Sequence, residues 1–389
     1  MAEQTIQRTK NHKDQGGKTS SRRVIRLKKQ EGTRYFDYQL IFYMVILLAF
    51  GMVMLYSASS YTASLSYGDA AYWVKRQLIF SLGGLFVMFL VSKLDYHFWV
   101  WLAPIIYILA FGLNILVIFI GVSRNGSSRW IPLGPIQLQP SELAKAAAIV
   151  FFARLFEEMG SNVDKAKKLM VPFILIVLLL IPIAATNLST AVILAGIWFF
   201  MLLVVSKNRK VMLTIVGIGL AAVAGFITFA GYRSDRIKIW RDPTKYEKGY
   251  QTLQGLYAIG SGGIFGKGLG AGMQKRFVPE ARNDMIFSLI CEELGLFGAV
   301  ILIILFILFL YRLYFIATNA ADLSGSLIVV GIMAQVAIQV VLNIAVVTNT
   351  IPNTGITLPF ISYGGSALII LMGEIGIALN VSRSINFYA

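Results

Sequence analysis

Ten apolar stretches recur along this chain, at about 38–58, 76–93, 98–119, 140–157, 168–186, 189–206, 211–231, 284–312, 325–349 and 359–382. Each approaches the roughly 20 residues that a helix needs to cross the hydrocarbon of a bilayer. Lipid offers no hydrogen bonds to the backbone, so such stretches must satisfy their own N–H and C=O groups, which only helices do within one segment. Composition agrees: 57% of the 389 residues are hydrophobic and 14% are charged, against roughly 25% charged in soluble domains. The expectation is an all-α polytopic membrane protein of ten transmembrane helices, with one large extracellular loop, 232–283, between the seventh and eighth. The fourth stretch is the weakest, because Glu142, Lys145 and Arg154 interrupt it. Breaks in helix are expected at Pro132–Pro140, Pro352 and Pro359, where proline removes a backbone donor.

The placement of charge predicts the orientation. Residues 1–37 read as a basic cytoplasmic tail, expected to be disordered, and residues 38–389 as one membrane domain. The first 34 residues hold ten Lys/Arg against three acids, and no apolar run before position 38 could act as a cleavable leader. Such a tail is a topology anchor or a contact for anionic membrane lipids; nothing in it has the pattern of a nucleic-acid binder. Lys93, then Lys165, Lys167 and Lys168, then Lys207, Arg209 and Lys210, then Arg312 fall in alternate short loops. By the positive-inside rule both termini are then cytoplasmic. The lone cysteine, Cys291, and the two histidines, His12 and His97, give no spacing for a metal.

The 232–283 loop opposes that rule, since it falls outside yet carries a net charge of +6. It reads either as a solvated loop overridden by the N-terminal signal or as cations kept outside for function. Its glycine run SGGIFGKGLGAG (261–272) lacks the preceding strand and the Ser/Thr of a nucleotide-binding loop. Lys267, Lys275 and Arg276 nearby are candidates to grip a diphosphate through charge-assisted hydrogen bonds. The loop ends in FVPEARNDMIF, which sets Asp284 at the mouth of a long apolar helix. Ideal helix geometry puts Glu292 about 12 Å from it and about 80° round, with Glu293 on the far side. This predicts one base rather than an acid/base pair, suited to a leaving group that cations neutralise. Asp284 could equally serve as a helix cap. Glu142, Lys145, Glu292, Glu293 and Glu374 are expected to pair inside the bundle or to line an ion pathway.

Three long segments resemble the signatures of the SEDS family, whose members include FtsW, RodA and SpoVE: SRWIPLGPIQLQPSELAK (128–145), the run from Gly249 to Gly295 that contains PEARNDMIF, and NTGITLPFISYGGSALIILMGEIGIALNVSR (353–383). The resemblance implies a ten-helix bundle and a peptidoglycan glycosyltransferase that polymerises lipid II at the outer face of the bacterial plasma membrane. It places the catalytic aspartate on Asp284, although His and Thr of the family's PEAHTDFIF are Arg282 and Asn283 here. Gln139 to Leu143 match QPSEL, Arg129 and Trp130 match an Arg-Trp pair, and Gln274 and Lys275 match a Gln-Lys pair. The family's PDLGT is TNLST in this chain, with Asn187 and Ser189, which puts the role of that family aspartate in doubt.

Within the family, Gly355 to Pro359 resemble the FtsW branch, because RodA-like members more often have proline at Thr357. The implied role is septal wall synthesis in division, alongside a class B penicillin-binding protein and other divisome proteins; the alternative is an elongation polymerase. Candidate diphosphate or sugar ligands are Arg129, Lys275, Gln274, Lys267, Arg276, Gln251 and Ser362, with Glu142, Lys145 and Glu293 as intramembrane structural groups. No cofactor is required by the sequence, and a divalent cation, Mg or Mn, is compatible with holding the diphosphate, though no cage for one is visible. A flippase for the lipid-linked precursor and a scaffold that recruits a transpeptidase are the rival readings.

Overall fold

The computed structural model describes residues 35–124, 127–133, 136–229 and 231–385; the readings made for residues 1–34 fall outside them. Twelve α-helices carry most of the described residues: α1 (Tyr38–Tyr67), α2 (Tyr72–Lys93), α3 (Tyr96–Ile120), α4 (Pro140–Met159), α5 (Ala166–Thr186), α6 (Leu188–Val205), α7 (Arg209–Phe229), α8 (Gly231–Arg241), α9 (Tyr250–Gly262), α10 (Ile286–Asn319), α11 (Leu323–Val347) and α12 (Gly365–Ser382). Among the described residues, eight helices, α1, α2, α3, α5, α6, α10, α11 and α12, are long and apolar enough to cross a membrane.

The polar residues that interrupt the apolar runs start these helices. Asp37, Asp95, Asn187 and Asp322 each accept a backbone N–H from the first turn of α1, α3, α6 and α11, respectively, which satisfies a donor the helix itself cannot. Pro140 opens α4 at a position where its missing N–H costs nothing.

α11 and α12 are buried over 67% of their apolar windows, whereas α2 and α3 are buried over 28% and α5 over 33%. The first pair therefore forms the centre of the bundle and the other three its rim, where Phe86, Trp101, Ile108, Phe119 and Ile181 lie exposed. A helix apolar on its outward face belongs in lipid.

Three readings need correcting. The expected break at 132–140 is in fact the end of a small antiparallel sheet, β1 (Val122–Arg124), β2 (Ser127–Leu133) and β3 (Ile136–Leu138), in that spatial order. The 232–283 segment, expected as one large loop, holds most of α8 and all of α9. The tail boundary falls before 37: Asp37 is fully buried, its backbone N–H donates to Ser382 Oγ, and Arg312 Nη2 donates to its Oδ2 at 2.6 Å. The expected breaks at Pro352 and Pro359 lie in non-helical backbone between α11 and α12.

Hydrogen bonds at the Asp37 end join segments distant in sequence. Ser206 Oγ and the Lys207 N–H donate to Asp164, Asn380 Oδ1 accepts from the Tyr96 N–H, and the Ser324 N–H donates to Glu157. The basic turns at 165–168 and 207–210, Lys93 and Arg312 thus gather at one end, and Asp284 occupies the other.

Candidate active site

Asp284 stands just ahead of α10 and is only 7% exposed. Four elements converge on it. Gln251, in the first turn of α9, points Nε2 at both carboxylate oxygens at 3.4 Å. Asn343 of α11, fully buried, donates Nδ2 to the carbonyls of Asp284 (2.8 Å) and Ile356 (2.7 Å), which ties the aspartate's backbone to the α11–α12 connection. In that connection Gly355 has φ +69°, and a Cβ there would sit 3.9 Å from Asp284 Oδ2. Ser362 Oγ accepts from the Leu358 N–H and donates to the Asn283 carbonyl at 2.7 Å, while the Tyr363 N–H donates to the Arg282 carbonyl. The carboxylate therefore sits on backbone fixed from both sides.

α9 reaches the site because its inner face is small. Gly255, Ala258 and Gly262 line the side turned to α10, and a Cβ on Gly262 would lie 1.9 Å from the Cys291 carbonyl. Small residues let two helix backbones touch. That contact places Gln251 over Asp284.

Burial is the main cause that pushes the Asp284 carboxyl up to about 7, and the neighbouring Glu280 charge adds to it. The Gln251 hydrogen bond and the Arg236 cation act the other way. A carboxylate in the dry is a stronger base than one in water, and a value near neutrality matches a general base to its working pH. Arg236 of α8 donates Nη1 to the Asn353 carbonyl, and Trp240 Nε1 donates to the Asn349 carbonyl, so α8 lies along the α11–α12 connection.

The lysines named from sequence take a different place. Lys267 Nζ donates to Glu292 Oε1 at 2.9 Å, and the backbone N–H groups of Met273 and Gln274 donate to the same carboxylate. Lys275 Nζ lies 3.6 Å from Glu293, which also accepts from Ser57 Oγ and the Gly270 N–H. Both glutamates are essentially unexposed, at 0% and 1%. Buried charges need partners, and here the loop supplies them, so Lys267, Lys275 and the Gln274 backbone hold the 263–278 loop onto α10. The loop enters where α10 breaks, at Gly295 (φ +67°), and a Cβ on Gly266 would lie 2.2 Å from the Glu293 carbonyl. The expectation that Glu292 and Glu293 pair inside the bundle is thus replaced by pairing with the loop.

Arg129, in β2, donates Nε to the Thr186 carbonyl at the α5–α6 junction. Next to it Asn187 caps α6 and Ser189 Oγ donates to the Thr354 carbonyl. Asn187 thus performs as an amide the capping that a carboxylate would do. Glu142 and Lys145 pair at 2.9 Å within α4, with Lys145 1% exposed. Gln335 Nε2 donates to Glu374 at 2.9 Å.

The sequence reading placed Gln251 and Ser362 at the site but missed Arg236, Glu280, Asn343 and Gly355, whose proximity to Asp284 depends on long-range closure. Among the described residues, no group of three His, Cys, Asp or Glu side chains could hold a metal ion.

The profile of the FtsW/RodA/SpoVE family, described as cell cycle protein, matches residues 38–386. Stage V sporulation protein E of Bacillus subtilis (strain 168) is 39% identical over 356 residues, spanning 89% of this chain and 97% of that protein. A probable peptidoglycan glycosyltransferase FtsW from Trichlorobacter lovleyi is 36% identical, over 90% of this chain and 94% of the relative. Among solved structures, a chain of a peptidoglycan synthase complex that coordinates polymerization and crosslinking superposes with TM-score 0.77 at 27% identity, covering 90% of this chain and 98% of that one. The rod shape determining protein RodA of Thermus thermophilus superposes with TM-score 0.68, also at 27% identity, over 90% and 97%. The fold, the matched length and the identities converge on one conclusion: this polytopic membrane protein belongs to the FtsW/RodA/SpoVE family.

Proposed function

We propose that this protein is a peptidoglycan glycosyltransferase that polymerises lipid II. One observation carries the reading: a single buried carboxylate, Asp284, held on fixed backbone at the mouth of α10, with its basicity raised by burial. Asp284 takes the proton from the 4-hydroxyl of the acceptor GlcNAc. The freed oxygen attacks C1 of the donor MurNAc, a C1–O bond forms with inversion from α to β, and the bond to undecaprenyl diphosphate breaks. The leaving diphosphate needs charge neutralisation rather than a proton, so one base and nearby cations suffice. Gln251 orients the carboxylate, and Arg236 is the cation that acts on it from α8.

Ten crossings follow if α4 and α7, 20 and 21 residues long, add to the eight apolar helices, since each is about 30 Å long. With the basic turns in the cytoplasm, both termini lie inside and Asp284 faces outward, where lipid II is consumed. Similarity to the FtsW-named relatives and to the sporulation protein supports a septal role over elongation. The likeness to a synthase complex that both polymerises and crosslinks supports a class B penicillin-binding protein as partner.

The test is purified full-length protein with labelled lipid II. Asp284→Asn keeps the volume and hydrogen bonding but removes the base, and polymer yield should fall at least about 100-fold. Yield within threefold of wild type would exclude Asp284 as the base.

A further inference from the structure

A pocket of about 240 Å³ adjoins the catalytic loop on its α1 side, lined by Ala58 and Thr62 of α1 and by residues 276 to 282 of the loop. That is room for roughly eight waters at about 30 Å³ each, enough for a small polyanion. Two arginines face it in the same way. The Arg276 guanidinium lies over the Tyr61 ring, 4.9 Å from its centroid, and the Arg282 guanidinium over Trp73 at 4.1 Å. Stacking on a ring fixes the plane of a guanidinium and leaves its N–H edge for an acceptor. No described carboxylate forms an ion pair with either guanidinium, and Arg282 Nε is buried without a hydrogen-bond partner. A buried charged donor without an acceptor is costly, which points to a ligand.

The counter-charge in the pocket wall is Glu280, whose side chain accepts from Asn283 Nδ2 and whose backbone turns the loop at φ +53°. Two cations against one carboxylate leave the pocket positive. Arg282 lies two residues ahead of Asp284, so the pocket is built on the segment that carries the base. Arg236 acts on Asp284 from α8, whereas this pair stacks on rings of α1 and α2. On the glycosyltransferase reading both substrates are lipid-linked diphosphates, one shed in the reaction and one kept, while there is only one base. A cation acting on the carboxylate from α8 and a second cationic station on the segment that carries it meet that demand.

We propose that the Arg276–Arg282 pocket binds the diphosphate of one of the two polyprenyl-linked substrates. The fork of a guanidinium matches phosphate oxygens in a way a lysine does not. The inference rests on the glycosyltransferase reading only for the identity of the diphosphate.

Binding is therefore measured in full-length Asp284→Asn protein, which cannot turn over, reconstituted in nanodiscs of zwitterionic lipid. The probe is labelled farnesyl diphosphate, with farnesol as the uncharged control. Arg276→Gln and Arg282→Gln should each raise the Kd at least about tenfold. Arg282→Lys should retain part of the affinity, and Lys245→Gln, at an exposed position outside the pocket lining, should leave the Kd unchanged. Farnesol should bind equally weakly to all variants. Diphosphate Kd values within twofold of the parent for both Gln variants would overturn the proposal. So would full displacement of the probe when phosphatidylglycerol replaces the zwitterionic lipid, since the pocket would then be a general headgroup site. Because no step requires turnover, weakened binding supports the pocket even if the wild type makes no polymer. Unchanged binding beside a polymerising wild type removes the pocket and leaves the enzyme.

Discussion

Asp284 has water on almost none of its surface and a carboxylate neighbour at Glu280, and both conditions favour its protonated form. As a base it must be deprotonated, so turnover should rise about tenfold per pH unit below about 7 and level off above it. Glu280→Gln removes a negative neighbour, lowers the Asp284 pKa and should move the acidic limb to lower pH. Arg236→Gln removes a cation that favours the ionised form and should move it to higher pH. The check is kcat/KM for lipid II polymerisation from pH 5.5 to 8.5 in both variants. Limbs that coincide with the wild type would mean that another group sets the profile. The position of Asp284 was legible because a carboxylate at the edge of an apolar run is conspicuous. Asn343 was not, because an asparagine within an apolar helix carries no local signal that its amide will bond the Asp284 carbonyl 59 residues away.

The elements divide in the same way. Apolar runs of membrane length declared their helices, with ends set by Asp37, Asp95, Asn187 and Asp322. Short elements declared nothing: β2 contains Pro132 and lacks clear alternation, and α9 is a 13-residue segment whose glycines suggest a turn until they are seen packed against α10. The lysines of the 263–278 loop looked like ligands because their partners, Glu292 and Glu293, are reached only when the loop folds into the break at Gly295. Those pairs join α9, the loop and α10 into one body and so fix Gln251 relative to Asp284. Glu292→Gln should cost roughly 1–3 kcal/mol, less than a fully enclosed pair because the Lys267 side chain is about a third exposed. Thermal unfolding in detergent measures that loss. Turnover should fall with it, and 0.5 M salt should reproduce neither effect in the wild type, since buried pairs are poorly screened. A Glu292→Gln protein of unchanged Tm and turnover would show that the loop is held by something else.

Across the whole molecule the two ends differ in kind. One end is bound by ion pairs and caps, Arg312 to Asp37 and the Asp164 cluster, and carries the basic turns. The other holds the buried carboxylate, the stacked arginines and α8 and α9. In the orientation proposed above the first end lies inside the cell and the net positive charge of 232–283 lies outside, against the positive-inside rule. Labelling of single cysteines in intact protoplasts tests this arrangement. Lys245, whose side chain is 75% exposed, and Lys167, in the exposed first turn of α5, are suitable reporters. Val163 is not, because it is 1% exposed. The native Cys291 is buried, so the wild-type background should be low. An impermeant thiol reagent should modify Lys245→Cys in intact cells and Lys167→Cys only after lysis. The reverse pattern would turn Asp284 toward the cytoplasm, and polymerisation at the outer face could not be the reaction it serves.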